Sequence, residues 1–220
     1  MAEQLAFPQP LHTSYAAHDF YEGEASAVAR AMLADPATWP LGKLVLMGEA
    51  GAGKTHLARM HASRTGAALL DGARDLPDRA ETPVIVDDAQ AVAGRGEAEE
   101  ALFHLHNNLA AAGLPLLLVA RTPPSTWYIT LPDLKSRMEA TAIARIEAPD
   151  DATLTAILAK LMVDRQLNPA PNLLGYLTRR MGRSYAEAGR IVARLDTLSL
   201  AEKREITTAL AARVLDADAE

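Results

Sequence analysis

From residue 43 onward, short apolar runs alternate with stretches of helical period. The runs read KLVLM at 43–47, AALLD at 67–71, PVIVDD at 83–88, LPLLLVA at 114–120 and TAIARIE at 141–147. Each is apolar at consecutive rather than alternate positions, as strands covered on both faces require. Five such buried strands with helices between them predict an α/β fold built on a five-stranded parallel, doubly wound sheet. Between the third and fourth runs, Leu102, Leu105 and Leu109 recur at helical spacing, and Gly113 stops the pattern. That helix therefore faces the core.

After Pro149 the strand pattern ends and two apolar stripes of helical period follow. Leu154, Ile157, Leu158 and Leu161 form one; Ile191, Val192, Leu195 and Leu198 form the other. Ser184 with Glu187, and Ser199 with Glu202, have the spacing of capping boxes, each predicting a helix start. The shift sets a boundary: an α/β base over 15–149 and a small α-helical domain over 150–220. Residues 1–14, MAEQLAFPQPLHTS, carry two prolines and neither period, so they read as an extended tail.

Composition narrows the function classes. The 220 residues are 49% hydrophobic and 23% charged, an ordinary globular balance. Twenty-two basic and 28 acidic residues leave a net charge of −6, which argues against general attraction to a phosphate backbone. The absence of cysteine removes disulfides, thiolate nucleophiles and cysteine metal sites. No apolar run approaches the ~18 residues of a membrane span, and the N-terminus lacks a secretory pattern, so a cytoplasmic protein is expected.

The sharpest chemical signal is GEAGAGKT at 48–55, which fits G-x-x-x-x-G-K-[ST] directly after a strand and directly before a helix. In this reading Gly48, Ala50, Gly51, Ala52 and Gly53 curl their backbone N–H groups around phosphate. Lys54 neutralises the outer phosphate charge, Thr55 ligates Mg2+, and His56 follows in the helix. The expected cofactor is ADP or ATP with Mg2+. VIVDD at 84–88 ends a buried strand on two carboxylates, at the edge where open parallel sheets collect ligands. Asp87 is the expected magnesium partner, through water; Asp88 either orients an attacking water or caps a helix. His104 and His106, two apart on a helix, point about 200° from each other and do not chelate together. They read as one exposed and one buried side chain.

A P-loop strand, an aspartate-ending strand two further on and a small helical unit together resemble an AAA+ ATPase with its lid. LVARTPP at 118–124 and PDLKSRM at 132–138 are similar to the DnaA/Hda family, most of all to its short regulatory members of the Hda type. FYEGEAS at 20–26 occupies the family's adenine-side segment, which assigns Phe20 and Gly23 to the nucleotide. QLAFPQPL at 4–11 resembles the motif by which such regulators dock on the DNA polymerase sliding clamp. Within the motif Gln4, Leu5, Phe7 and Pro8 would bind the clamp, Gln4 by amide hydrogen bonds and Leu5, Phe7 and, further on, Leu11 by filling an apolar pocket. Ser136-Arg137 matches the family's arginine finger, which acts in trans on the nucleotide of a neighbouring subunit. With no residues after 220 for the initiator's helix-turn-helix domain, origin recognition is not expected.

The resemblance thus implies a negative regulator of chromosome replication initiation that stimulates hydrolysis of DnaA-bound ATP, nucleoid-associated through the clamp, with a nucleotide-dependent homodimer expected of such interfaces. Two positions depart from the pattern. Ala120 stands where a polar residue usually positions water, and Ala186 where the lid carries a sensor arginine, leaving Arg183 or Arg190 to reach the phosphate. Slow intrinsic turnover is expected, with the nucleotide setting the angle between base and lid. The arginines at 179, 180, 183, 190 and 194 read as a solvated or partner-facing side, with DNA contact indirect or weak. The main alternative is a self-sufficient ATPase such as a replication loader or remodeller; a small-molecule kinase would need an acceptor pocket that the sequence does not display.

Overall fold

The computed structural model describes residues 24–202 and 204–217. After helix α1 (Glu24–Ala34), strand and helix alternate through β1 (Lys43–Met47), α2 (Lys54–Thr65), β2 (Ala68–Asp71), β3 (Val84–Asp87), α3 (Gly96–Ala111), β4 (Leu116–Ala120), α4 (Pro132–Glu139) and β5 (Ala142–Arg145). The five strands form one parallel sheet in the order β2-β3-β4-β1-β5. From Asp151 the chain is helical: α5 (Asp151–Asp164), α6 (Leu173–Thr178), α7 (Tyr185–Glu202) and α8 (Thr208–Asp216).

The three central strands feed two cores because their residues alternate between sheet faces while remaining apolar on both. Val45, Val86 and Leu118 point to the side covered by Leu102, Leu105 and Leu109 of α3 and by Leu134 and Met138 of α4. Leu44, Leu46, Ile85 and Leu117 point to the side covered by Ala29 and Leu33 of α1 and by Leu57 and Ala58 of α2. Burying each α3 leucine completely contributes roughly 2 kcal/mol. Gly113, at φ +66, ends that helix, and Leu114 N–H closes on Leu109 O at 2.8 Å. A third core joins α5 to α8 through Leu154, Leu158, Leu177, Ile191, Leu195 and Val214.

Two expectations need correction. Only β1, β3 and β4 are buried throughout as expected of all five strands, apart from the last residue of β3. Strands β2 and β5 lie at the sheet edges, where one side has no neighbour, and Leu69 is 47% and Ile143 40% exposed. An apolar run identifies a strand but not its place in the order. Ser199 and Glu202 do not start a helix either: α7 runs through both. Ser199 directly follows the stripe of Ile191, Leu195 and Leu198, and the helix runs on for one more turn past it. Ser199 Oγ instead donates to Arg204 O at 2.6 Å, and Glu202 accepts from Arg213 at 2.7 and 3.0 Å. Helix α8 starts at Thr207, whose Oγ1 accepts from Leu210 N–H at 3.4 Å. At Ser184 half of the expected box forms: Ser184 Oγ accepts from Glu187 N–H at 3.3 Å, while the Glu187 carboxylate reaches Gly182 N–H at 3.0 Å.

Lys43, first residue of β1, is 2% exposed; among the described residues its Nζ has Leu114 O, at 3.2 Å, and no carboxylate. Burial lowers its pKa from 10.5 to about 8. Between these values the unfolded chain holds more protons than the folded one, so stability rises with pH across that window; below about 8 the cost of the buried charge is constant. Lys43→Met is expected to stabilise the protein at pH 7 by about 1–3 kcal/mol and to remove the rise between pH 8 and 10.5. Urea unfolding of both proteins at several pH values measures this; equal slopes would refute it.

Candidate functional site

The loop at 48–53 rises from the C-terminal edge of the sheet. Gly48 N–H bonds Ala120 O at 3.3 Å, and Ile146 N–H bonds Met47 O at 2.7 Å, so the loop leaves between β4 and the end of β5. A side chain at Gly48 would place its Cβ 2.9 Å from Ile146 O. Gly51 at φ +75 and Gly53 at φ +92 occupy the left-handed region that L side chains avoid. Gly53 is the N-cap of α2 and no side chain caps that helix, so the first-turn N–H groups remain donors toward the space above the loop. A cradle of uncapped donors suits an anion.

Charged groups complete it. Lys54, 9% exposed, donates its Nζ to Gly48 O and Glu49 O, both at 2.7 Å, which ties the loop to its own helix. Its pKa is lowered, first by burial and then by the Arg121 charge, against the opposing pull of Asp87, Glu49 and Asp88. Thr55 Oγ1 donates to Asp87 Oδ2 at 3.0 Å, and Asp87 Oδ1 accepts from Asp88 N–H at 3.0 Å. The hydroxyl and carboxylate expected to hold Mg2+ are thus already neighbours, and the hard oxygen donors fit that ion. Asp88 stands in the left-handed region at φ +52. Its side chain caps no helix; the carboxylate accepts from Gln90 Nε2, while Gln90 Oε1 accepts from Arg121 N–H at 3.1 Å. One amide therefore spans the ends of β3 and β4.

These groups surround a cleft of about 630 Å³. Ala50, Gly51, Lys54, Thr55, Asp87 and Asp88 line it. Gly48, Ala52, Gly53 and His56 shape the loop and helix without lining the cleft, and Ala52 is buried beneath it. Gln4, Leu5, Phe7, Pro8, Leu11, Phe20 and Gly23 lie outside the described residues. Sequence reasoning missed two cations on the cleft wall, Arg59 and Arg121. Both had a signal: Arg59 follows Thr55 by one helical turn, and Arg121 directly follows Ala120, whose buried position ends β4.

The helical domain meets the loop directly. Ala186 N–H donates to Gly51 O at 3.2 Å, and a Cβ on Gly51 would collide with Ser184 Oγ and lie 2.9 Å from Ala186 Cβ. Neither Arg183 nor Arg190 lines the cleft; Arg183 pairs with Asp151 at 2.7 Å, across to the start of α5.

Arg137 also lies off the cleft, half-buried on α4. Its Nε donates to Asn107 Oδ1 at 3.2 Å, its Nη1 to Asp133 O at 3.2 Å, and its guanidinium lies 4.7 Å from the centre of the Phe103 ring. The other end of the α3–α4 pair is fastened by Glu99, fully buried. It accepts from Gly94 N–H at 2.7 Å, Thr130 N–H at 2.9 Å, Thr130 Oγ1 at 2.7 Å and Leu131 N–H at 2.8 Å. Burial alone would raise the Glu99 pKa; those hydrogen bonds outweigh it and leave the pKa below the ordinary value. His106 is buried beside this pair and His104 is exposed. Burial, with Lys43 and Arg137 adding to it, lowers the His106 pKa to about 4, so it is neutral near pH 7.

Gly51→Ala is expected to destabilise by about 2–3 kcal/mol, combining left-handed strain with displacement of α7. Gly66→Ala, also at positive φ but with nothing within 4 Å of its added Cβ, should cost only about 1 kcal/mol. Equal losses in urea unfolding would mean that the contact between loop and α7 contributes nothing.

No family model matches the chain. Among solved structures it is similar to domain III of the Thermotoga maritima replication initiation protein DnaA, with TM-score 0.77, 18% identity and coverage of 94% of this chain and 98% of that one. AMPPCP-bound DnaA from Aquifex aeolicus gives 0.69 at 19% identity, covering 86% and 67%. The Thermotoga maritima RuvB Holliday junction branch migration motor gives 0.64 at 18%, covering 88% and 66%. The sheet order and the helices that follow it are those of an AAA+ base and lid, and the chain has the AAA+ ATPase fold in the form that DnaA domain III and RuvB share.

Proposed function

We propose that the chain holds ADP or ATP in the cleft above residues 48–55 and regulates replication initiation by presenting Arg137 to ATP bound by a DnaA-type initiator, while its tail docks on the sliding clamp. The nucleotide part rests on the uncapped N-terminus of α2 and on the Thr55–Asp87 pair at 3.0 Å, together with the AMPPCP carried by the similar Aquifex aeolicus protein. Bound Mg2+ would neutralise outer phosphate charge between Thr55 and Asp87. Lys54 and the first-turn N–H groups of α2 grip the phosphates, and Asp88 borders the cleft where it can orient water.

The observation that carries the trans reading is the position of Arg137. It lies away from the chain's own cleft, on a helix fastened at both ends to α3, with its guanidinium half-buried and directed by Asn107 and Phe103. A guanidinium set on a rigid surface, rather than on a loop, is suited to stabilising charge on a phosphate supplied by another molecule. Such fingers supply ~10³ to 10⁵ in rate in other nucleotide hydrolases. Arg137→Ala is expected to remove stimulation of the initiator's ATP hydrolysis while leaving clamp binding intact; unchanged initiator turnover would overturn the reading. Deleting residues 1–8 should abolish retention on loaded clamp, and retention by the shortened chain would exclude the tail as its anchor.

One observation favours the other reading, a self-sufficient ATPase: Asp88 and Arg121 both border the chain's own cleft. Turnover by the purified chain alone, with loaded clamp, and with clamp plus initiator separates the two. Trans stimulation predicts a rise only in the third.

A further inference from the structure

Among the described residues Tyr128 is the only Phe, Tyr or Trp that is exposed; it is 89% open to solvent, while its neighbours Trp127 and Ile129 are buried. Its backbone is fixed. Trp127 Nε1 donates to Thr122 O at 3.0 Å, and Trp127 and Ile129 share one core with Leu134 and Met138 of α4. Thr130 N–H and Leu131 N–H, immediately beyond, are held by Glu99 at 2.9 and 2.8 Å. Residues 127–131 and α4 therefore form one body, from which the Tyr128 ring stands out. Exposure alone says nothing of a partner, but the location does. Glu99, Phe103 and Asn107 succeed one another at four-residue intervals and so share a face of α3. The first holds Thr130 and Leu131; the other two hold the Arg137 guanidinium. Between the two ties α3 rises roughly 12 Å. Tyr128 and Arg137 thus stand near the two ends of one short stretch of surface.

We propose that Tyr128 is the aromatic anchor of the surface that meets the DnaA-type initiator, fixing the register in which Arg137 reaches the initiator's ATP. The inference rests on the trans reading of Arg137. A guanidinium that touches a phosphate bound by another protein brings that protein's surface down around it. An interface between two proteins covers about 800 Å² on each, a patch roughly 30 Å wide. The ~12 Å between the two ties on α3 fits inside such a patch. Tyrosine suits the position: its ring removes a large apolar area from water, its two χ angles lose little freedom, and its hydroxyl keeps a hydrogen-bonding tip. Arg137 is itself half-buried against Phe103 and Asn107, which leaves it little free area with which to bind. Affinity and chemistry are then divided, Tyr128 holding the partner and Arg137 acting on charge that develops in the transition state. An unpaired nucleic-acid base would also stack on such a ring, but the net charge of −6 argues against a strand as the occupant.

The test is ATP hydrolysis by the initiator, with the full chain on loaded clamp at fixed concentration and the ATP-bound initiator varied. Urea unfolding first shows each variant folded; at 89% exposure the ring contributes little to the fold. Tyr128→Ala is expected to raise the initiator concentration at half-maximal stimulated turnover about tenfold or more, with the maximal rate within about twofold. Tyr128→Phe, which keeps the ring, should stay within about threefold of the unmodified chain. Arg137→Ala, by contrast, should remove the stimulated rate at every initiator concentration. An unchanged half-maximal concentration in Tyr128→Ala, or a fall in maximal rate alone, overturns the inference while the trans reading of Arg137 stands. Binding of a single-stranded DNA oligonucleotide, followed in parallel by fluorescence anisotropy, should be the same for Tyr128→Ala and the unmodified chain. Its loss with the initiator response unaltered would assign the ring to stacking on bases and overturn the inference likewise. If the unmodified chain leaves initiator turnover unchanged, the trans reading itself fails and the inference falls with it.

Discussion

Helix α2 begins without a side-chain cap, and the rest of the C-terminal edge of the sheet is organised around those unsatisfied donors. A buried or half-buried helix start without partners costs free energy unless something external accepts from it. Here the cost is built in by two glycines at positive φ, which no other residue type adopts cheaply, and by a loop pinned at its entry between Ala120 and Ile146. The donors cannot be turned away into alternative hydrogen bonds, because the same loop is held by Lys54 on its inner side and touched by α7 on its crest. The site is preorganised at the expense of local stability, a common arrangement where an anion is to be held without rearrangement.

How much of this was legible in the chain follows from the range of each interaction. The loop and its strand and helix are local, so their residues carried the pattern within eight positions. The parallel sheet was legible because a strand covered on both faces needs an uninterrupted apolar run, and β1, β3 and β4 show one. The exposed edges were not, because strand order is set by crossovers and leaves no mark on runs such as AALLD and TAIARIE. Ser199 misled for a related reason. Its spacing from Glu202 is that of a cap, but a cap needs a helix start, and α7 is already under way at Ser199.

Arg59 and Arg121 carried only a signal of position. Arg59 lies one turn after Thr55 and Arg121 within LVARTPP, and both reach the cleft because α2 and β4 converge on it. Ala120 ends the strand, and both it and Arg121, the first residue beyond, line the cleft. The Gln90 amide joining Asp88 to the Arg121 backbone could not be read either, since it depends on the left-handed backbone at Asp88. Sequence identifies the local parts of such a site; the tertiary convergence that makes them act together has to be seen.

The two halves of the proposed role place opposite demands on rigidity, and the fold meets them with different bonds. Delivering Arg137 to another molecule's phosphate requires that α4 not drift, because misplacement by ~1 Å is enough to cost such a group most of its effect. Glu99, satisfied entirely by N–H and hydroxyl donors inside the base, fixes one end of α4, and Asn107 with Phe103 fixes the other. The Glu99 bonds are buried and little screened by salt. Base and lid meet at the Ala186–Gly51 backbone bond, at 3.2 Å, where Ser184 and Ala186 pack over the loop. A ligand that acts on the loop therefore acts on the lid through this contact, at a distance from the bonds that hold Arg137. In the proposed role, then, the surface meant for a partner is held by the bonds between α3 and α4, and the nucleotide-facing seam by the contact of α7 with the loop.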